Sequence, residues 1–373
     1  MPTIKNIEKS LPQFELIKNS RGEQDNYGAA HFIEMLTGIG KSHETVINWR
    51  HGWSYYPNTK YRENLIIGNL DDLNIIATKK QQFFLKEHGV DSIALGYPFI
   101  YVNKYDDKKI DRIPNSLLIM PPHSVPHTDH NFDESLYINE ILKIKDYFDF
   151  IAVCIHSSCY KKGLWVNSFK KAGIPIITGA NADDKFGLVR MNRIFKHFEY
   201  MTTNIIGSHV LYAAYTGCKV SIYGTYQTYS KQDFVDDPIL KRFPFLLDHN
   251  FEQNEYKNIV KTFPFLFTQP QLATQNIEWA EKEAGKENMI PIKYLATFLR
   301  GSDDFSQHCE LQTRQYKNLI KNKDKEISIL KENIIQLESN KWYDFGQMGL
   351  KSKVFFSIKH LFKKIRFSRK NFK

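Results

Sequence analysis

The chain has 373 residues, 42% hydrophobic and 14% aromatic, enough for two domains with sizeable cores plus an appendage. Its net charge of +10 is concentrated at one end: residues 351–373 hold nine Lys or Arg and no Asp or Glu, so the remaining body is nearly neutral. That body lacks the basic face of a nucleic-acid binder, and no apolar run approaches the roughly 18 residues of a membrane span.

The start of the chain shows no basic segment followed by an apolar stretch, so a protein neither secreted nor membrane-spanning is expected. Cys154, Cys159, Cys218 and Cys309 form no paired CxxC pattern. They read as reduced, buried thiols of a cytoplasmic protein, with no structural zinc, no other metal site and no cofactor expected.

In chain order, "SRGEQDNYG" (residues 20–28) places Glu23 and Asp25 beside two glycines, a loop that could supply a carboxylate base. "TVINWRHGW" (45–53) reads as a strand running into a Gly turn, with His51 at its exit as either a general base and acceptor contact or a loop-bracing ring. "NIIATKKQQFFLKEHGV" predicts a strand, a helix and a stop at Gly89. "SIALGYPFIYV" is a further strand-like run, broken by Gly96 and Pro98, and "NKYDDKKIDRIPN" (103–115) is a polar linker.

Beyond the linker the rhythm is regular. "SLLIMPP", "DFIAVCIHSS", "IPIITG", "EYMTT" and "KVSIYG" predict five short apolar strands, separated by four helices, as a parallel sheet wound by right-handed crossovers requires. Ligands of such sheets sit outside the carboxyl ends of the strands. Those exits are Pro122-His123-Ser124, then His156-Ser157-Ser158, then Gly179-Ala180-Asn181 with Asp183 and Asp184. The fourth is Thr202-Thr203-Asn204 with Gly207-Ser208-His209 opening the next helix, and the fifth Tyr223-Gly224-Thr225.

Each exit has two readings. Thr203 to Ser208 is either an ordinary helix cap or a cradle whose Gly207 gap lets backbone amides approach an anion. His123 and His156 are either structural rings or donors of hydrogen bonds to a departing phosphate. Asp183 caps a helix or touches a ligand, and Arg190 either lies on a solvated face or reaches a phosphate.

The segments "LGYPFIYV", "LLIMPPHS" and "TTNIIGSHVLYAAYTGCKVSIYG" resemble bacterial GT-B glycosyltransferases of capsule or lipopolysaccharide biosynthesis, above all those using CMP-linked sialic-acid-like or Kdo-like sugars. The likeness spans roughly residues 45 to 225 and implies an α/β fold of two Rossmann-like domains facing a cleft: 1–113 for the acceptor and 114–300 for the nucleotide sugar. In such enzymes a His after one strand and a Ser/Thr pair at a later helix start hold the nucleotide phosphate, which here implies His156, Thr202, Thr203 and Ser208, commonly without a metal. Ser157 stands where that pattern has Pro, and the first domain has no clear counterpart of the family's catalytic aspartate motif. A UDP-sugar or another nonulosonic acid therefore stays open as donor. So do an epimerase or hydrolase of the same architecture and a non-catalytic scaffold.

Tyr316, Ile320, Lys323, Ile327, Leu330, Ile334 and Leu337 alternate 4-3 within 311–341, which predicts a coiled coil and a homo-oligomer, or a long helix on the body. In 350–373, Val354, Ile358, Leu361 and Ile365 share a helical face amid Lys and Arg, the pattern of an interfacial helix on anionic lipid, at about 1 kcal/mol per nearby cation. With a glycan or lipid-linked glycan acceptor, this places the protein on the inner face of the cytoplasmic membrane, bound to no nucleic acid.

Overall fold

The computed structural model describes residues 4–18, 20, 23–39, 48–55, 60–66, 73–123, 133–234, 236–299, 322 and 325–334. The chain divides into one unit from Met1 to Ser302 and a second from Asp303 to Lys373. In the second unit residues 325–334 are helical, with Leu330 58% exposed. The remaining heptad positions 316, 320, 323 and 337 and the basic segment 350–373 lie outside the described residues.

Two parallel sheets build the first unit. Strands β1 (Asn48–Trp49), β2 (Asn74–Ile76) and β3 (Ser92–Ala94) are adjacent in that order. Between β2 and β3 the helix Lys79–Glu87 starts at a capping box, in which Thr78 accepts from the Gln81 amide and the Gln81 side chain accepts from Thr78. It turns Leu85 inward against Ile76, Leu65 and Val90. Phe83 of the same helix is 66% exposed.

"SIALGYPFIYV" is strand only over Ser92–Ala94. Gly96 adopts φ +80°, and Pro98, which lacks an N–H for a ladder, opens a 3-10 turn Pro98–Tyr101 that runs into the helix Val102–Tyr105. The run is apolar because Phe99, Ile100, Tyr101 and Val102 are all buried.

The second sheet holds β4 (Ile113–Ile119), β5 (Phe150–Ile155), β6 (Ile176–Thr178), β7 (Phe198–Thr203) and β8 (Lys219–Ile222), ordered β6-β5-β4-β7-β8 with every pair parallel. Buried on both faces, these strands read as continuous apolar runs. Helices Glu134–Ile144 and Val166–Lys171 cover one face, where Tyr137, Ile141, Trp165 and Phe169 pack on Leu117, Val153 and Ile155. Each such side chain contributes about 1.5–3 kcal/mol relative to exposure. The order reverses at β4, whose neighbours β5 and β7 lead to connections on opposite sides, so a crevice opens at the carboxyl ends of these three strands. This is an α/β architecture of two parallel sheets, the second ordered as in a doubly wound fold.

After β8 the chain returns to the first sheet. The Tyr97 amide donates to the Ala284 carbonyl (3.0 Å), Asn288 Nδ2 to the Ala77 carbonyl (3.0 Å) and the Ile290 amide to the Tyr101 hydroxyl (3.2 Å).

Candidate functional site

His156 follows β5 and caps the helix Ser157–Lys162 with its ring: Nδ1 accepts from the Ser158 amide at 3.2 Å and lies 2.7 Å from Ser158 Oγ. A ring nitrogen that accepts an N–H carries no proton, so the neutral imidazole is protonated on Nε2. That nitrogen lies 3.4 Å from the Tyr27 hydroxyl. The exit of β4 is pinned by Trp165 Nε1 donating to the Pro122 carbonyl (3.0 Å), and it lays His123 over His156 with ring centroids 4.6 Å apart.

The third imidazole comes from the turn after β7. His209 Nε2 is hydrogen-bonded to Thr203 Oγ1 at 3.0 Å. Burial first, then the neighbouring His123, pushes both His156 and His209 down to about 3. Three rings from three chain segments thus meet at the carboxyl ends of β4, β5 and β7.

The first sheet's exit turn is latched onto the same place. Ser208 Oγ accepts from the Trp53 amide at 2.9 Å, and the Tyr212 hydroxyl donates to the His51 carbonyl. A Cβ on Gly52 would sit 3.4 Å from Ser208 Oγ. Tyr27 stands between the lobes, its ring 5.5 Å from that of His51 and 5.8 Å from that of His156. Burial, with Cys159 second, raises its phenol to about 12, so it is a neutral hydroxyl.

Backbone contacts hold Tyr27 there. Its φ is +58°, unusual for a side-chain-bearing residue, and its amide donates to the Ala182 carbonyl (2.6 Å). Gly28, at φ +71°, passes so close that a Cβ would lie 2.1 Å from the Lys185 carbonyl oxygen. Asp25 is buried in the same turn, and the side chain of Glu23, like Ser124, lies outside the described residues.

Of the residues nominated from the sequence, the structure gathers His51, His123, His156, Thr203, Ser208 and His209. Ser157 is adjacent, buried, with its amide donating to the Ala180 carbonyl. Seven others are corrected. Thr202, one residue before Thr203, faces the other side of the sheet, where its Oγ1 accepts from Ser221 Oγ at 3.0 Å. Asn204 is buried and donates to the Thr225 carbonyl (2.9 Å), bracing the exit of β8. Tyr223 packs with the core beneath helix Glu134–Ile144.

Arg190 donates to the Thr178 carbonyl (3.0 and 2.8 Å) and the Pro12 carbonyl (2.8 Å) and covers the Phe14 ring, so it braces the N-terminal segment. That segment also occupies the exit of β6: the Ile17 amide donates to the Asp183 carbonyl, and Asn181 Oδ1 caps the Asp183 amide. Neither Asn181 nor Asp183 reaches the imidazoles. Gly207 has an extended backbone (φ 173°), and its missing Cβ makes room for the His209 ring, 3.1 Å from where that atom would lie.

Tyr27, Arg50, Trp53, Tyr226 and Tyr229 were not nominated. The last two lie in "YQTY", immediately past the Thr225 at which the β8 exit was taken to end. With Asn26, Arg50, His51 and Ser208 they line a cavity of about 560 Å³ that extends to the helices Pro238–Arg242 and Phe245–Asn254. Among the described residues no group of three or more His, Cys, Asp or Glu is placed to hold a metal ion.

The depressed histidines set an acid limit on the fold. His156 and His209 stay neutral in the folded protein to about pH 3, whereas unfolded they take a proton near pH 6.5, and His197 outside the site behaves alike to about 4. Unfolding therefore binds protons, and stability falls as pH drops from 6.5 toward 3, by at most about 1.4 kcal/mol per pH unit for each ring. Urea midpoints between pH 7 and 4 should decline, and His156→Gln or His209→Gln should flatten the decline. An unchanged slope in both variants would contradict the placement of these rings.

No family model and no curated protein matches the chain. Among solved structures, the pneumococcal O-GlcNAc transferase GtfA in complex with UDP and GlcNAc is similar at 13% identity and a TM-score of 0.28, over 67% of this chain and 51% of that one. The chain thus spans about half the length of that structure.

Proposed function

We propose that the protein is a glycosyltransferase that moves a sugar from a nucleotide donor to a hydroxyl of a surface-polysaccharide acceptor. The observation that carries this is the meeting of His123, His156 and His209 at the point where the strand order reverses, beside a cavity walled by both lobes. A neutral imidazole that presents its Nε2–H away from its helix, as His156 does, suits a phosphate whose charge grows as its bond to the sugar breaks.

In this reading the second lobe holds the donor and the first the acceptor. The acceptor oxygen bonds to the anomeric carbon as its proton passes to a first-lobe base, for which His51 is the nominee. The carbon–oxygen bond to phosphate breaks, and the phosphate keeps the electron pair. Sequence resemblance favours a CMP-linked nonulosonic or Kdo-like acid as donor, with a UDP-sugar as the competitor. The basic amphipathic sequence of 350–373 supports work at an anionic membrane face.

Calorimetry of the full chain against CMP, UDP and GDP tests the proposal. Binding of one pyrimidine nucleotide, CMP foremost, at micromolar to millimolar affinity is the expected result. Silence toward all three would overturn it.

A further inference from the structure

The cavity wall mixes aromatic rings, among them Trp53 and Phe251, with six charged or amide side chains: Arg50, Glu63, Asn64, Asp237, Asn250 and Glu255. The three carboxylates already have partners. Glu63 pairs with Arg62 (3.3 Å), Glu255 pairs with Lys257 (2.7 Å), and Asp237 caps its own helix by accepting from the Ile239 and Leu240 amides (2.9 and 3.0 Å). The guanidinium of Arg50 has no such counterpart. Its Nε donates to the Gly52 carbonyl at 3.0 Å, which fixes the plane of the fork, and among the described residues no carboxylate pairs with it. The N–H groups on its two terminal nitrogens are left for a ligand.

Two amides of the same wall are also incomplete. Asn64 is 6% exposed and its Nδ2 has no acceptor, and Asn250 Oδ1 has no donor. Buried polar atoms of this kind disfavour the empty protein until a ligand or water completes them. Ring faces with a few convergent polar groups suit a saccharide, and a planar fork without a counterion suits a carboxylate or phosphate oxygen pair.

His123, His156 and His209 do not line this cavity, so Arg50 faces a different negative group from the phosphate given to the imidazoles. It directly precedes His51, on the first-lobe turn. We infer that the acceptor is an acidic saccharide, its carboxylate or phosphate ester on the terminal nitrogens of Arg50 and its hydroxyls on Asn64 and Asn250. The inference rests on the transferase reading, in which His51 takes the acceptor's proton, and adds the acceptor's charge to it.

The experiment is calorimetry of the full chain with two matched pairs, methyl β-glucoside against methyl β-glucuronide and glucose against glucose 6-phosphate, with the nucleotide panel run in parallel. Each pair differs in its anionic group. At least one anionic member should bind about ten- to hundredfold more tightly than its neutral partner, the range for hydrogen bonds to a charged group. Arg50→Gln should bring that pair level, and Arg50→Lys, which keeps the charge without the fork, should preserve part of the gap, both with parental nucleotide affinity. Nucleotide binding with no gap in either pair overturns the inference and leaves the transferase reading standing. A gap that Arg50→Gln leaves intact also overturns it, since the anion then binds elsewhere. Weakened nucleotide binding in both variants overturns it too, because Arg50 then serves the donor phosphate. A gap without any nucleotide binding overturns the transferase reading, and the acceptor assignment with it.

Discussion

His156→Ala should lower glycosyl transfer by about 10²- to 10³-fold, the usual loss when a positioned hydrogen-bond donor to developing negative charge is removed. The ring has two jobs. Nδ1 caps the helix Ser157–Lys162 through the Ser158 amide, and Nε2 carries the proton toward the crevice beside Tyr27. Loss of the cap alone costs about 1 kcal/mol of stability, so alanine confounds the two. Asparagine separates them, because it caps helices well but is too short to place an N–H where Nε2 lies. His156→Asn should therefore melt close to the parent while transferring as poorly as His156→Ala. Near-parental transfer by the asparagine variant would remove His156 from the chemistry.

Gly285→Ala should be the most damaging single methyl in the first lobe, lowering stability by about 3 kcal/mol or more. The residue sits at φ +73°, and a Cβ there would lie 2.0 Å from the Ala77 carbonyl oxygen and 3.0 Å from the Cα of Gly96. These are backbone atoms just past the ends of β2 and β3 and cannot swing aside as a side chain would. The strained region costs alanine about 1–2 kcal/mol by itself. Gly173→Ala isolates that part, being at φ +71° with nothing within 4 Å of its added atom. Urea denaturation of the two variants should give a much larger loss for Gly285→Ala, and equal losses would show that the close approach is not what counts.

The second sheet was legible because its strands are buried on both faces, so "SLLIM", "FIAVCI" and "KVSI" announce themselves as apolar runs between helical spacings. The first sheet was harder to read, since strands of two or three residues carry no pattern and Pro98 breaks an apolar run into a turn. The same contrast governs the site. Rings directly behind an apolar strand, His123, His156 and His209, could be found by their place in the chain. Alternation could not say which of Thr202 and Thr203 faces the crevice, because a period of two is satisfied by either choice. Arg190 and Tyr27 depend on the segment Leu11–Gly28 folding over the exit of β6 from some 160 residues away, and no local signal reports such a docking.

That strap divides labour between the lobes. Tyr27 is fastened to the Ala182–Lys185 loop of the second lobe and only touches His51 of the first. Parting the lobes would break the Trp53–Ser208 and Tyr212–His51 bonds together with the Arg193–Asp106 ion pair and the Phe99–Tyr212 stack, whereas the Tyr27–Ala182 bond lies wholly on the second lobe's side. On the transferase reading, the side that would hold the donor keeps its geometry by itself, whereas the side that would activate the acceptor depends on the contacts between the lobes.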